Sequence, residues 1–301
     1  MTNGNVISNF KNVAVPAAGM LGLVLLLGQP VVGGGPLCRP PEVPEEPEAV
    51  AEPRGVDLAI LLDTSGSMSG LIDAAKQKLW AMVNDLALAE PTPQLRVALL
   101  TFGNDGHNPE DGWVAVETPF TDDLDLVSQR LFDQTTNGGT EYVGRVLQSA
   151  GQLEWDPSDR TLKLIILAGN ESADQDQEAP FRDMCRKLIG NGIIINAIYC
   201  GSAADNIAPA WREVARLADG QFASIDQNQG TIVVETPFDE QLGALSITIN
   251  ATYLPFGTEG AAGVANQRAQ DSNAAGLNGA AAAQRCVTKA TALYVCSWDL
   301  V

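Results

Sequence analysis

Val56-Asp57-Leu58-Ala59-Ile60-Leu61-Leu62-Asp63-Thr64-Ser65-Gly66-Ser67-Met68 is the stretch on which the fold turns. The apolar run from Val56 to Leu62 predicts a buried strand, since a strand covered on both faces needs no polar alternation. Asp63 follows, then small hydroxyl residues around Gly66, then a helical pattern. The D-x-S-x-S spacing lets a carboxylate and two hydroxyls turn onto one point at the carboxyl end of a sheet. Hard oxygens of this kind suit Mg²⁺, with Mn²⁺ and Ca²⁺ not distinguished, and leave positions open for water or a partner's carboxylate. The plainer alternative is that Asp63 and Ser65 cap the helix that follows.

Downstream, strands and helices alternate. Residues 70–88 read as a helix with Leu71, Ala75, Leu79, Met82, Val83 and Leu86 on one face. Residues 95–102 read as a strand and 113–116 as its hairpin partner. A helix runs from the acids at Asp122, Asp123 and Asp125 to about Gln134, and another follows the loop Thr135–Glu141 and runs to about Leu153. Strands at 162–169, 193–200 and 220–225 alternate with helices at about 178–190 and 208–217. The pattern predicts an α/β fold: a doubly wound, mostly parallel six-stranded sheet with one antiparallel edge strand, over 55–226. Such sheets bind ligands beyond the carboxyl ends of their strands, and Asp63, Thr140 and Gly169 fall at or beside such ends.

The rest of the chain is different in kind. Residues 227–301 read as a mostly helical extension: a short strand at 231–237, a helix from Asp239 to about Leu254, then an Ala- and Gln-rich stretch, 263–296, interrupted at Gly276 and Gly279. Upstream, residues 13–28 are an apolar run within an N-terminal segment, 1–35, that suits a signal peptide or a membrane anchor. Residues 36–54 interleave Pro and Glu, a composition that cannot bury a core and predicts a disordered linker. The expected location is therefore exported: periplasmic, secreted or membrane-anchored, with the membrane met only through the N-terminal segment.

The 301 residues carry 37 acids against 18 bases, a formal charge of −19. So acidic a chain has too few bases to displace the counterions of a nucleic acid. Cys38, Cys185, Cys200, Cys286 and Cys296 form no C-x-x-C, and His107 is the sole histidine, so a Cys/His zinc site is not expected. Cys185 and Cys200 read as small buried hydrophobes. His107, in an Asn/Asp/Gly/Pro turn, reads as exposed and inert. No Ser–His–Asp set can be assembled, and no carboxylate pair is marked for acid–base work.

Taken together, Asp63-Thr64-Ser65-Gly66-Ser67 after an apolar strand and Gly138-Gly139-Thr140 on a second loop resemble a von Willebrand factor A domain, over about 55–226. The resemblance implies a metal-ion-dependent adhesion site, usually holding Mg²⁺, with Asp63, Ser65, Ser67 and Thr140 as ligands. It also implies an aspartate after the fourth strand. Where the family usually has Thr-Asp-Gly, this chain has Ala168-Gly169-Asn170-Glu171, and the Thr-Asp pair aligns on Ala168-Gly169. Asn170 or Glu171 could reach the metal from further along, with Asp174 and Asp176 adding charge nearby. Ala168-Gly169-Asn170-Glu171, Trp211-Arg212, Gln267-Arg268-Ala269-Gln270-Asp271 and Trp298-Asp299-Leu300-Val301 further resemble a bacterial subgroup of these proteins, and extend the likeness to the end of the chain.

The expected function is an exported, non-enzymatic protein-interaction module that uses Mg²⁺ to bind a carboxylate of an unidentified protein partner. The alternative is a structural envelope scaffold with a degenerate, metal-free site. A metal-assisted hydrolase ranks last, because no general base is marked beside the metal ligands.

Overall fold

The computed structural model of the chain describes residues 54–225, 238–291, 293, 294 and 298–300. β1 (Gly55–Asp63) lies inside a six-stranded sheet of order β3-β2-β1-β4-β5-β6. Its neighbours β2 (Gln94–Phe102) and β4 (Leu162–Gly169) both run parallel to it, with Asp63 opposite Phe102 and Leu62 opposite Ala168. β5 (Ile193–Tyr199) and β6 (Phe222–Ser224) continue the parallel run, and β3 (Val114–Thr121) closes the other edge antiparallel to β2. The chain builds outward from β1 in one direction through β2 and in the other through β4. The strand order therefore reverses between β1 and β4, where such sheets open a crevice at their carboxyl ends. Asp63 and Gly169 end their strands at that crevice.

Side-chain alternation along β1 feeds two cores. Leu58, Ile60 and Leu62 pack with α1 (Ile72–Ala87) and α2 (Leu124–Phe132). Ala59 and Leu61 face α3 (Val143–Ala150), α4 (Phe181–Gly190) and α5 (Ala208–Leu217). This is the expected doubly wound architecture. Its helix ends differ from the expected ones for local reasons. The 70–88 helix divides into a 3-10 turn, Gly66–Gly70, and α1, and no side chain caps either start. Asp63 and Ser65 are therefore not helix caps. At α2, Asp123 Oδ1 accepts from Leu126 N at 3.0 Å, so the helix starts one residue after that cap. α3 stops at Ala150, whose carbonyl accepts from Trp155 Nε1 at 2.9 Å.

Beyond the sheet come α6 (Asp239–Ile249), α7 (Gly260–Leu277) and α8 (Gly279–Lys289). The break between α7 and α8 is made by Asn278, whose Oδ1 accepts from Ala281 N at 2.9 Å. α8 packs on α1 and α7 on α2, through a buried set of charges. Arg285 pairs with Asp125 of α2 at 2.6 Å and with Asp271 of α7 at 3.1 Å, and Lys289 meets Asp271 at 2.9 Å. Thr288 Oγ1 donates to Asn84 Oδ1 of α1 at 2.8 Å. α6 inverts the usual pattern: Asp239 and Ser246 are buried while Leu245 and Ile247 are exposed.

The N-terminal segment, all of the Pro/Glu linker but Arg54, and the strand expected at 231–237 lie outside the described residues. Among the described residues no helix is long and apolar enough to cross a membrane. Cys185, Cys200 and Cys286 are buried and unpaired.

Candidate functional site

At the carboxyl edge of β1 the backbone turns sharply around Asp63. Its Oδ1 accepts from Ser65 N at 2.8 Å, which folds the loop back over the carboxylate. The turn leaves the serine hydroxyls free to face one another: Ser65 Oγ and Ser67 Oγ are 2.9 Å apart. Ser67 Oγ then donates to Asn170 Oδ1, on the loop after β4, at 3.0 Å. Asn170 N in turn faces Asp63 Oδ2 at 3.5 Å. Asp63, Ser65, Ser67 and Asn170 are thus joined in a ring of hydrogen bonds, two of them through backbone N–H groups, across the crevice between β1 and β4.

The second loop is laced to the first by its backbone. Gly66 N donates to Gly138 O at 2.9 Å and Asn137 N to Thr64 O at 3.0 Å. Asn104 Nδ2 reaches both Thr64 O, at 3.2 Å, and Thr135 O, at 3.0 Å. Gly138 has φ +88°, and a Cβ there would stand 2.6 Å from Asp105 N, so the approach of the loops depends on its being glycine. Thr140 is half-buried on this loop, its hydroxyl bonded to none of the ring.

The electrostatics are those of a buried carboxyl group pushed toward its protonated form. Asp63 is 1% exposed. Burial, with Glu141 nearby, pushes its carboxyl up to about 7 against the pull of the Ser65 N–H. Among the described residues no Lys, Arg or His acts on its charge. Glu171 is likewise raised, by burial and then by Glu141, while a contact with Ser67 lowers it. Cys200 lies behind the ring, its thiol pushed up to about 12 by burial and by Asp63, so it is held as an inert thiol.

Glu141 is the residue that sequence reasoning passed over. It is 4% exposed, and its Oε2 accepts from Gln175 Nε2 at 3.1 Å. Gly103, at φ +80°, separates it from β1: a Cβ there would lie 3.1 Å from Asp63 Oδ1, 3.1 Å from Glu141 Cγ and 3.3 Å from Ser65 Cβ. The one signal in the sequence was an acid directly after Gly138-Gly139-Thr140.

Other expectations are corrected. Asp174 and Asp176 do not present free charge to the ring. Asp176 Oδ1 accepts from Glu178 N and Ala179 N at 2.9 and 3.1 Å and its Oδ2 meets Arg145 at 3.1 Å, while Asp174 pairs with Arg182. His107 is neither exposed nor idle. It is half-buried, 2.9 Å from Thr101 Oγ1, which also donates to Glu117 at 3.0 Å, and burial holds its ring below the usual histidine range.

Among the described residues no three His, Cys, Asp or Glu side chains converge closely enough to hold a metal ion. Any cation here would rest on the Asp63 carboxylate with neutral hydroxyl and amide oxygens, and at most one further acid, Glu171, beside it. The donor set nonetheless fits a hard divalent ion: oxygens only, a buried carboxylate lacking a basic partner, and hydroxyls aimed at each other.

The model of the von Willebrand factor type A domain matches residues 57–223. No curated protein matches the chain. Among solved structures, a von Willebrand factor type A protein from Catenulispora acidiphila is 22% identical, with 59% of this chain and 40% of that one covered and a TM-score of 0.46. The SpRpn10 VWA domain is 16% identical over 58% of this chain and 89% of that one, TM-score 0.44. Proximal thread matrix protein 1 from the mussel byssus, solved with a zinc-occupied MIDAS motif, is 16% identical over 60% of this chain and 43% of that one, TM-score 0.45.

Proposed function

The chain belongs to the von Willebrand factor type A domain family, whose domains are characteristically non-catalytic protein-interaction modules, and from that premise we propose that it binds a protein partner through a divalent cation held at the β1–β4 crevice. Asp63, Ser65 and Ser67 would hold the ion, with Asn170, Glu171 and Thr140 completing the set, and Mg²⁺ is the first choice for so hard and mostly neutral a donor set. The bound ion would supply an electrophilic point for an Asp or Glu of the partner. The chain's own residues keep Asp63 dry, hold the serines toward it and leave the outer side of the ring open. We place this module outside the cytoplasm, on the strength of the apolar run at 13–28, and read Ala168-Gly169-Asn170-Glu171 as the regular form of a bacterial subgroup.

The observation that carries the reading is the buried Asp63 carboxylate, ringed by oxygen donors and without a basic side chain beside it. Calorimetric titration of the full chain with Mg²⁺ tests it. A saturable heat and a thermal shift are expected, both lost in Asp63→Ala. Partner binding should then fail in EDTA, and a partner held equally well by Asp63→Ala would sink the reading.

A second reading, a metal-free scaffold, draws on Gly169, which puts no acid at the end of β4. Its signature is a wild-type protein that shows neither heat nor thermal shift with Mg²⁺, Mn²⁺ or Ca²⁺.

A further inference from the structure

At the end of β4, packing closes the position where the family carries its second acid. A Cβ on Gly169 would lie 2.9 Å from Trp211 Cη2 and 3.0 Å from both Cβ and Oδ2 of Asp63. Trp211 is 1% exposed and its Nε1 donates to Glu171 O at 2.8 Å, so the ring cannot withdraw without giving up that bond. An aspartate at 169 would have to displace a buried indole and crowd a buried carboxylate. Its absence is built into the packing of α5 against the crevice.

A carboxylate returns from the opposite side. Glu141 Cγ and Asp63 Oδ1 are each 3.1 Å from the point where a Gly103 Cβ would stand, hence within about 6 Å of one another. Glu141 is nearly as buried as Asp63, and it acts electrostatically on both Asp63 and Glu171. Its hydrogen bond to Gln175 fixes it between the second loop and the loop after β4. A divalent ion with so few charged ligands depends on acids just outside its coordination shell.

Building on the cation site proposed above, we infer that Glu141 is the acid that supports that site from beside it, in place of the one that Trp211 and Asp63 exclude from position 169. Glu141 is a positioning residue that sets the charge of the crevice from beside it, in keeping with the failure of three acids to converge on one point.

A merely structural Glu141 would serve only to accept from Gln175. Glu141→Gln keeps an acceptor for that bond and removes the charge, so it separates the two roles. Calorimetry on the full chain should show Mg²⁺ affinity weakened by about 10- to 100-fold in Glu141→Gln, with the metal-free melting temperature unchanged or raised, since a like charge facing Asp63 is gone. Glu141→Asp, which retains the charge, should recover most of the affinity. The inference is overturned if Glu141→Gln takes Mg²⁺ as the wild type does, or if its metal-free melting temperature falls while its affinity holds. Asp63→Ala serves as the control. Wild-type binding that Asp63→Ala abolishes and Glu141→Gln leaves intact would remove the role of Glu141 alone. A wild type that takes no Mg²⁺ would remove both the site and this role.

Discussion

Burial holds a proton on Asp63 over a pH range in which an exposed aspartate has long lost it. In the unfolded chain an aspartate ionises near pH 4, whereas in the folded, metal-free chain Asp63 does so at about 7. Between those values the folded form keeps a proton that the unfolded form releases, so stability falls as pH rises from about 4 to about 7 and stays reduced above. The difference is worth roughly 4 kcal/mol. Asp63→Asn keeps the amide-sized side chain and an acceptor for Ser65 N but never ionises. In EDTA its unfolding free energy should match the wild type near pH 4 and exceed it by up to that amount at pH 7.5, as read by urea denaturation across the range. Saturating Mg²⁺ should close the gap by raising the wild type alone. Equal stabilities at pH 7.5 in EDTA would mean that Asp63 is ionised at no cost, through a neighbour not recognised above.

At the scale of strands and loops, the crevice is built by glycines that let neighbouring segments touch, and Gly103 is the sharpest case. It closes β2 at φ +80° with Asp63, Glu141 and Ser65 packed around the place of its missing Cβ. Gly192 has a similar φ, +76°, and nothing within 4 Å of that place. Gly192→Ala should therefore cost about 1 kcal/mol of backbone strain and leave Mg²⁺ binding unchanged. Gly103→Ala should lose more stability than that and weaken Mg²⁺ binding in calorimetry, because Asp63 and Glu141 must move apart. Equal losses in the two variants would show that Gly103 serves only its turn. The contrast also marks what the sequence could reveal. Val56–Leu62 and Leu162–Gly169 were readable as central strands because a strand buried on both faces is apolar throughout, and Asp63, Ser65 and Ser67 were readable because a strand end delivers them together. Glu141 was not, since it sits on a loop, where no periodicity shows that its side chain packs beside Gly103 and Asp63. Nor was the strand order, because parallel partners such as β1 and β4 are a hundred residues apart and no turn sets their register. His107 was misjudged because a polar turn gives no warning that Thr101, on the adjoining strand, will fold it in.

At the scale of the described molecule, the sheet domain and the C-terminal helices are joined by largely buried charges. Arg285, 2% exposed in its side chain, stands between Asp125 of α2 and Asp271 of α7, with Lys289 on the far side of Asp271. Tyr294 donates to Asp125 as well, and burial raises its phenol above the usual tyrosine range. Buried ion pairs add little net stability over apolar residues of the same shape, but removing one partner strands the others without compensation. Arg285→Met leaves Asp125 with only the Tyr294 hydroxyl, and should cost about 3–5 kcal/mol in urea denaturation. Asp125→Leu with Arg285→Met should cost less than the two single changes summed, because the double variant leaves no stranded charge across the α2–α8 contact; strict additivity would show that the pair is not coupled. The phenol gives an independent check of sign. Unfolded tyrosine ionises near pH 10 and folded Tyr294 above it, so the folded form keeps its proton longer and stability must fall as pH climbs past about 10; Tyr294→Phe should blunt that fall. The same variants report on the crevice. α1 both follows the Gly66–Gly70 turn and carries Asn84, the partner of Thr288. If the helical extension only braces the fold, Arg285→Met should unfold more readily yet bind Mg²⁺ with wild-type affinity below its transition. If docking of α8 on α1 also sets the serine loop, affinity should drop together with stability.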